Sequence, residues 1–121
     1  MIVTFDSSAW IEYFAGTQKG KPVKNILNQN HSFLTPSLCL MEIKHKYLRE
    51  EHPFKDRLDF ICSSSTIVDI TKDIALIAAD IKKQYKLYTI DAAIYATAQK
   101  HKSLLLTGDH HFAELPNVQL L

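Results

Sequence analysis

Asp91-Ala92-Ala93-Ile94-Tyr95-Ala96-Thr97-Ala98, followed shortly by Leu104-Leu105-Leu106-Thr107-Gly108-Asp109, is the stretch that decides the fold. Its first part is rich in alanine, the best helix former, and predicts a helix from Asp91 to Lys102. Its second part is apolar at three consecutive positions, as expected of a short strand covered on both faces. A helix feeding into a doubly covered strand is half of an α/β repeat, and the same alternation runs outward from it.

Upstream, Ile74, Ile77, Ala78, Ile81 and Tyr85 mark the clearest helix in the chain, with Thr66-Ile67-Val68 a strand before it. Pro53 can open a further helix that turns Phe54, Leu58, Ile61 and Cys62 inward. Leu38, Met41, His45 and Leu48 recur at helical spacing between Ser37 and Glu51, after the short strand Ser32-Phe33-Leu34-Thr35 that Pro36 ends. Lys19 to Asn30 is a polar helix with Val23, Ile26 and Leu27 on one side. At the N-terminus, Ile2-Val3-Thr4-Phe5 reads as a buried strand. Ser7-Ser8 then offers capping hydroxyls to a helix through Ala9-Trp10-Ile11-Glu12-Tyr13-Phe14 that Gly16 stops. Downstream, Val118-Gln119-Leu120 is a fifth strand. These elements predict one α/β domain over residues 1–121, a three-layer sandwich with a central, mostly parallel sheet of about five strands.

Composition narrows the class. A hydrophobic share of 46% supports a core and excludes intrinsic disorder as the main state, and 22% charge is ordinary for a globular domain. Fourteen basic residues against thirteen acidic ones give a net charge of +1, so any nucleic-acid contact must use a local patch rather than a global field. The sequence opening lacks the basic and long apolar regions of a signal peptide, and no apolar run approaches the roughly 18 residues of a membrane span. Cys39 and Cys62 show no metal-binding spacing and read as two buried thiols in a reducing cytosol. The expectation is a cytoplasmic protein with no membrane association.

Acids fall where an α/β sheet presents ligands, just beyond the carboxyl ends of its strands. Asp6 directly follows the first strand and Asp109 follows Leu104-Leu105-Leu106-Thr107-Gly108. Asp91 opens the alanine-rich helix, and Glu42 lies within Leu38-Cys39-Leu40-Met41-Glu42-Ile43, beside a buried face. Each has an ordinary structural reading. Asp6 and Asp91 could cap helices, Asp109 could hold a turn, and Glu42 could pair with Lys46 one helical turn on. Together they are harder to dismiss, because converging carboxylates repel one another unless a divalent cation neutralises them. Hard oxygen donors suit magnesium or manganese.

The segments Asp6-Ser7-Ser8, Glu42, Asp91-Ala92-Ala93-Ile94-Tyr95-Ala96-Thr97-Ala98 and Thr107-Gly108-Asp109-His110-His111-Phe112 resemble the four signatures of the PIN domain. In particular the chain is similar to VapC-type toxins, the ribonuclease half of type II toxin–antitoxin pairs, from Ile2 to Leu121. The resemblance implies a magnesium-dependent endoribonuclease, with Mn2+ as an alternative ion. It maps the family's four acids onto Asp6, Glu42, Asp91 and Asp109, with Asp6, Asp91 and Asp109 on the metal and Glu42 orienting water or completing the site. Ser8 and Thr107 match hydroxyls that support the metal ligands. It further implies an RNA substrate, a cognate antitoxin and a homodimer. Phe5 and the His110-His111 pair depart mildly from the family pattern.

RNA binding requires local positive charge, for which Lys44, Lys46 and Arg49, or Lys82, Lys83 and Lys86, are candidates against an ordinary solvated helix face. Single-stranded or looped RNA is the favoured form, because unstacked bases are the ones proteins read. His110 and His111 follow the last acid closely enough to touch a phosphate, although surface placement is the commoner fate. Trp10, Tyr13 and Phe14 read as core, but three aromatics within five residues cannot all face inward on one helix. Two other functions compete. A phosphoryl-aspartate enzyme would use Asp69, but no lysine follows the last strand. A non-catalytic PIN-like module that binds RNA or a partner has no reason to keep carboxylates where phosphate must approach.

Overall fold

The computed structural model describes residues 1–121 and carries the expected alternation. Its elements are β1 (Ile2–Phe5), α1 (Ser7–Ala15), α2 (Gly20–Leu27), β2 (Ser32–Pro36), α3 (Ser37–Arg49), α4 (Lys55–Ser64), β3 (Thr66–Val68), α5 (Lys72–Tyr85), α6 (Thr89–Lys100), β4 (Leu104–Thr107) and β5 (Val118–Leu120). A single 3-10 turn, His110–Phe112, follows β4. The five strands form one sheet in the order β3-β2-β1-β4-β5, and every neighbouring pair is parallel. The chain therefore builds outward from β1 to β3 and then crosses back to place β4 on the other side of β1. That reversal opens a crevice between the carboxyl ends of β1 and β4, the place where ligands bind in such sheets.

Strand pleating sends alternate residues to opposite faces. Val3, Phe5 and Leu106 join Trp10 of α1 and Ile43 and Tyr47 of α3 in one core cluster. Leu105 faces the other way, into Ile74, Ile81, Ile94 and Tyr95 of α5 and α6. Both faces are covered, which is why the strands read as unbroken apolar runs. Buried polar atoms inside the sheet are satisfied: the Thr4 and Ser103 hydroxyls meet at 2.5 Å, and Thr35 Oγ1 accepts from Trp10 Nε1 at 3.1 Å. Gly16 ends α1 in the left-handed region, φ 68°, donating its N–H to the freed carbonyls of Glu12 and Tyr13. Gly20 opens α2 against that same turn, where a Cβ would run into the Glu12 carbonyl.

Several local expectations are corrected. The inward face of α3 is Cys39, Ile43 and Tyr47, whereas Met41 and Leu48 are each 54% exposed and His45 is exposed as well. Two apolar stripes share this helix, and periodicity alone cannot say which of them meets the sheet. Its phase is set by the chain's exit from β2, which passes into α3 without a loop. Cys62 is exposed, because Ile61 occupies the inward position of α4 and its neighbour points about 100° away. Both cysteines are free, with Cys39 the buried one. The helix after Pro53 begins at Lys55 and leaves Phe54 half-buried at its cap. The alanine-rich helix begins at Thr89 and ends at Lys100, so Asp91 stands inside its first turn rather than at its cap. The aromatic group divides as the helix geometry requires. Trp10 is fully buried, while Tyr13 and Phe14 are half-buried against Phe60 of α4, with the Tyr13 and Phe60 rings stacked at 5.7 Å. No helix is long and apolar enough to cross a membrane.

Candidate functional site

β1 and β4 run side by side with Phe5 opposite Leu106, so the residues just beyond them, Asp6 and Thr107, emerge together. The Asp6 N–H donates to the Leu106 carbonyl at 3.1 Å and extends the ladder to the very edge of the crevice. Asp6 is thereby only 4% exposed. Its side chain makes no helix-cap bond, although Asp6 stands at the N-cap position of α1. Instead, Ser8 Oγ and Thr107 Oγ1 each donate to Asp6 Oδ2 at 2.7 Å. Two hydroxyls on one oxygen fix the rotamer and leave Oδ1 free of any comparably short bond. The supporting groups are held in turn, since Gly108 N–H donates to Ser8 Oγ and Asp109 N–H to Thr107 Oγ1, both at 2.9 Å. The serines expected to cap α1 thus lie within the helix, where Ser8 serves the Asp6 carboxylate and Ser7 that of Glu42.

Glu42 projects from α3 toward the same crevice and accepts from Ser7 Oγ at 3.0 Å. The expected pairing with Lys46 does not occur, because Lys46 bonds Glu50 at 2.5 Å instead. Asp91 comes from the first turn of α6, and Asp109 caps the 3-10 turn by accepting from His111 N–H at 2.8 Å. The donor atoms of Asp6, Glu42 and Cys39 lie within 4.8 Å of one another, as do those of Asp91, Asp109 and His111. Asp6 and Glu42 thus form one group and Asp91 and Asp109 another, the two near enough that Asp91 and Asp109 repel Glu42 and Asp6 repels Asp91, with Ser8 and Thr107 holding Asp6. None of the four has a lysine or arginine within ion-pair distance.

The electrostatics follow from that imbalance. Burial pushes the Asp6 carboxyl above its ordinary range, against the lowering effect of its Ser8 and Thr107 hydrogen bonds. Burial likewise raises Glu42, and repulsion from Asp6, Asp91 and Asp109 adds to it. Asp91 is raised by burial first and then by Asp109 and Asp6. Cys39 is held neutral by complete burial and by the adjacent carboxylates, and forms a thiol floor under Asp6 and Glu42. Crowded carboxylate oxygens without a lysine or arginine beside them are the donor set of a hard divalent ion, and magnesium or manganese fits them.

A stability prediction follows from the raised carboxyls. A carboxyl whose folded pKa exceeds its unfolded value favours the folded state when protonated, and that contribution disappears as pH rises through the folded value. In chelator, the melting temperature should therefore decline as pH rises above the ordinary carboxyl range of about 4, and less steeply in Asp6→Asn. Thermal melts across that interval check it; a slope that Asp6→Asn leaves untouched contradicts the strained carboxylate.

His111 and Ser7 also contribute to the crevice. His111 places Nδ1 3.0 Å from Asp109 Oδ1 and 3.7 Å from Asp91 Oδ2. Ser7, read from the sequence as a capping hydroxyl beside Asp6, instead donates to Glu42 across the crevice. The basic groups are less convergent: Lys44 lies over the Phe54 ring and Lys82 donates to the Leu87 carbonyl at 3.1 Å.

The profile of the family described as PIN domain matches residues 3–118. No curated protein matches the sequence. Among solved structures, the chain is similar to one described as a toxin–antitoxin complex from Klebsiella pneumoniae. Identity is 27%, the match covers 97% of this chain and 95% of that one, and the TM-score is 0.80. It shares its fold with VapBC2 of Rickettsia felis, solved bound to a promoter DNA fragment, at 17% identity, 100% and 98% coverage and a TM-score of 0.77. It also shares it with VapC20 of Mycobacterium tuberculosis, described as a toxin cleaving the sarcin–ricin loop, at 16% identity, 98% coverage of both chains and a TM-score of 0.77.

Proposed function

The chain belongs to the PIN domain family, and from that premise we propose that it is a metal-dependent endoribonuclease, the VapC-type toxin of a toxin–antitoxin pair. The observation that carries the proposal is the gathering of Asp6, Glu42, Asp91 and Asp109 at the β1–β4 crevice with no lysine or arginine paired to any of them. A binding module for RNA would gain nothing from such a cluster. The structural likeness to a Klebsiella toxin–antitoxin complex supports an antitoxin partner, and the fold shared with a sarcin–ricin-loop-cleaving toxin supports an RNA substrate.

Asp6, Asp91 and Asp109 hold the ion, Mg2+ or Mn2+, and Ser8 and Thr107 keep Asp6 in its binding rotamer. When bound, the ion supplies a Lewis acid for the phosphate and lowers the pKa of water. Glu42 orients the attacking water. Half-buried and held by Ser7 Oγ at 3.0 Å, its carboxylate can accept the proton that water loses as it adds to phosphorus. The ester P–O bond breaks, and the leaving oxygen takes a proton from solvent water, to which Glu42 returns the one it accepted. The substrate is single-stranded or looped RNA, and the working form is a cytoplasmic homodimer of a single 1–121 domain.

The test is incubation of total cellular RNA with the purified chain, in magnesium and in chelator. Discrete fragments that form only with the metal are expected. Intact RNA in both lanes, from folded protein free of bound inhibitor, overturns the nuclease and leaves a PIN-fold binding module.

A further inference from the structure

His111 stands two residues after the last acid, on the 3-10 turn that Asp109 caps. Its side chain is 59% exposed, yet its ring is not free to wander. Asp109 Oδ1 accepts the backbone N–H of His111 at 2.8 Å and lies 3.0 Å from Nδ1 of the same residue. The Tyr88 ring meets the imidazole edge-on, with centroids 5.4 Å apart at 81°. The outcome is a nitrogen directed at two carboxylates from different segments, Asp109 on the turn and Asp91 on α6. The adjacent His110, although one residue nearer Asp109 in sequence, forms no ion pair with either acid.

We infer that His111 is a metal ligand, a nitrogen donor that completes the set begun by Asp91 and Asp109 and turns the ion preference of this site toward manganese. This rests on the metal-dependent reading above and deepens it. In an octahedral site with bonds of about 2.1 Å, adjacent donors lie about 3.0 Å apart and opposite donors about 4.2 Å apart. Nδ1 is 3.0 Å from one carboxylate oxygen and 3.7 Å from the other, within that span, so the three side chains can converge on one ion with little rearrangement. Magnesium keeps oxygen donors and water and gains little from imidazole, whereas transition-metal ions accept imidazole nitrogen more readily. A site built of oxygens alone offers no such discrimination. The competing account is that His111, when protonated, is simply a counter-ion to the two acids. It would then contribute no bond to the metal and no preference between ions.

The experiment uses the full chain, stripped with chelator and titrated with Mn2+ alone while electron paramagnetic resonance follows the bound ion. Pulsed measurement of electron spin echo modulation reports a directly bonded imidazole nitrogen, a readout independent of RNA cleavage. Mg2+ affinity is measured by competition. The wild type should show nitrogen coupling, and His111→Ala should lose it. In that variant Mn2+ affinity should fall about ten-fold or more, the scale on which losing even a group that supports a ligand is felt, with Mg2+ affinity changed by less than about two-fold. His110→Ala should retain both the coupling and the affinity. Bound Mn2+ without nitrogen coupling, or an unchanged Mn2+ to Mg2+ ratio in His111→Ala, overturns the inference. If that ion is still lost in Asp91→Asn, the acidic metal site stands and only the role of His111 falls. No Mn2+ binding by folded wild type overturns the metal site and this inference together.

Discussion

Asp91→Asn is expected to reduce RNA cleavage by about 10³-fold, the upper end of what losing one preorganised electrostatic group costs, while the protein stays folded. Asp91 suits the test because it is only half-buried and carries none of the hydroxyl bonds that tie down Asp6. The amide fits the same space and removes only charge. Burial and repulsion from Asp109 and Asp6 already disfavour that charge in the metal-free protein, so the variant should melt no lower than its parent in chelator. It should also lose most of the thermal stabilisation that added Mg2+ gives the parent, because an ion stabilises only the state that binds it. Single-turnover cleavage of one defined RNA, paired with melts in metal and in chelator, reads both effects. Asp69→Asn is the matched control: Asp69 is exposed just beyond β3, outside the cluster, and its loss should leave cleavage at parental rate. Cleavage within about ten-fold of parental in Asp91→Asn would remove Asp91 from the reaction, because a group on which the transition state depends cannot be that cheap. If Asp69→Asn were instead the inactive variant, chemistry through a phosphorylated aspartate would take its place.

The acids could be located in the sequence because each is tied to an element that the sequence announces. Asp6 ends an apolar strand, Asp109 ends another after a glycine, and Asp91 opens an alanine-rich run. Their meeting is harder to read, since it depends on β4 lying beside β1. The Thr107 hydroxyl that holds Asp6 is 101 residues away in the chain, and only the sheet order brings the two together. The inner face of α3 was illegible for a different reason. Leu38, Met41 and Leu48 form as good a stripe as Cys39, Ile43 and Tyr47, and the strand exit rather than the helix decides between them. Cys62 was misplaced by a single residue of helical phase. His111 was legible as a residue close to the last acid, but its ring direction depends on Tyr88 and on the 3-10 turn, neither of which a linear pattern records.

Trp10→Ala is expected to lower the stability of the fold by about 3–5 kcal/mol, the cost of emptying a large aromatic site. Trp10 is fully buried on the side of the sheet where α1 packs, with the Phe5 ring 4.9 Å away and Phe14 at 5.9 Å. Its Nε1–H donates to Thr35 Oγ1, which keeps a second partner in Ser65 Oγ at 2.7 Å, so the loss is one of volume more than of an orphaned polar group. A cost of that size is a large share of the roughly 5–15 kcal/mol that holds a domain together. Trp10→Phe keeps a ring in the cavity and should cost less than half as much. The consequence reaches the site, because α1 carries Trp10 on one side and presents Ser7 and Ser8 to Glu42 and Asp6 at its start. Loosening α1 frees those hydroxyls, so the alanine variant should bind Mg2+ more weakly even at temperatures where it remains folded. Urea unfolding of the parent and both variants, followed by metal titration under folding conditions, measures the two consequences separately. An alanine variant within about 1 kcal/mol of the parent would move Trp10 out of the core and make the aromatic group of α1 a surface for a partner. A large loss of stability with metal affinity intact would instead mean that Ser7 and Ser8 are placed by β1 and the crevice, and that the packing of α1 matters to the fold alone.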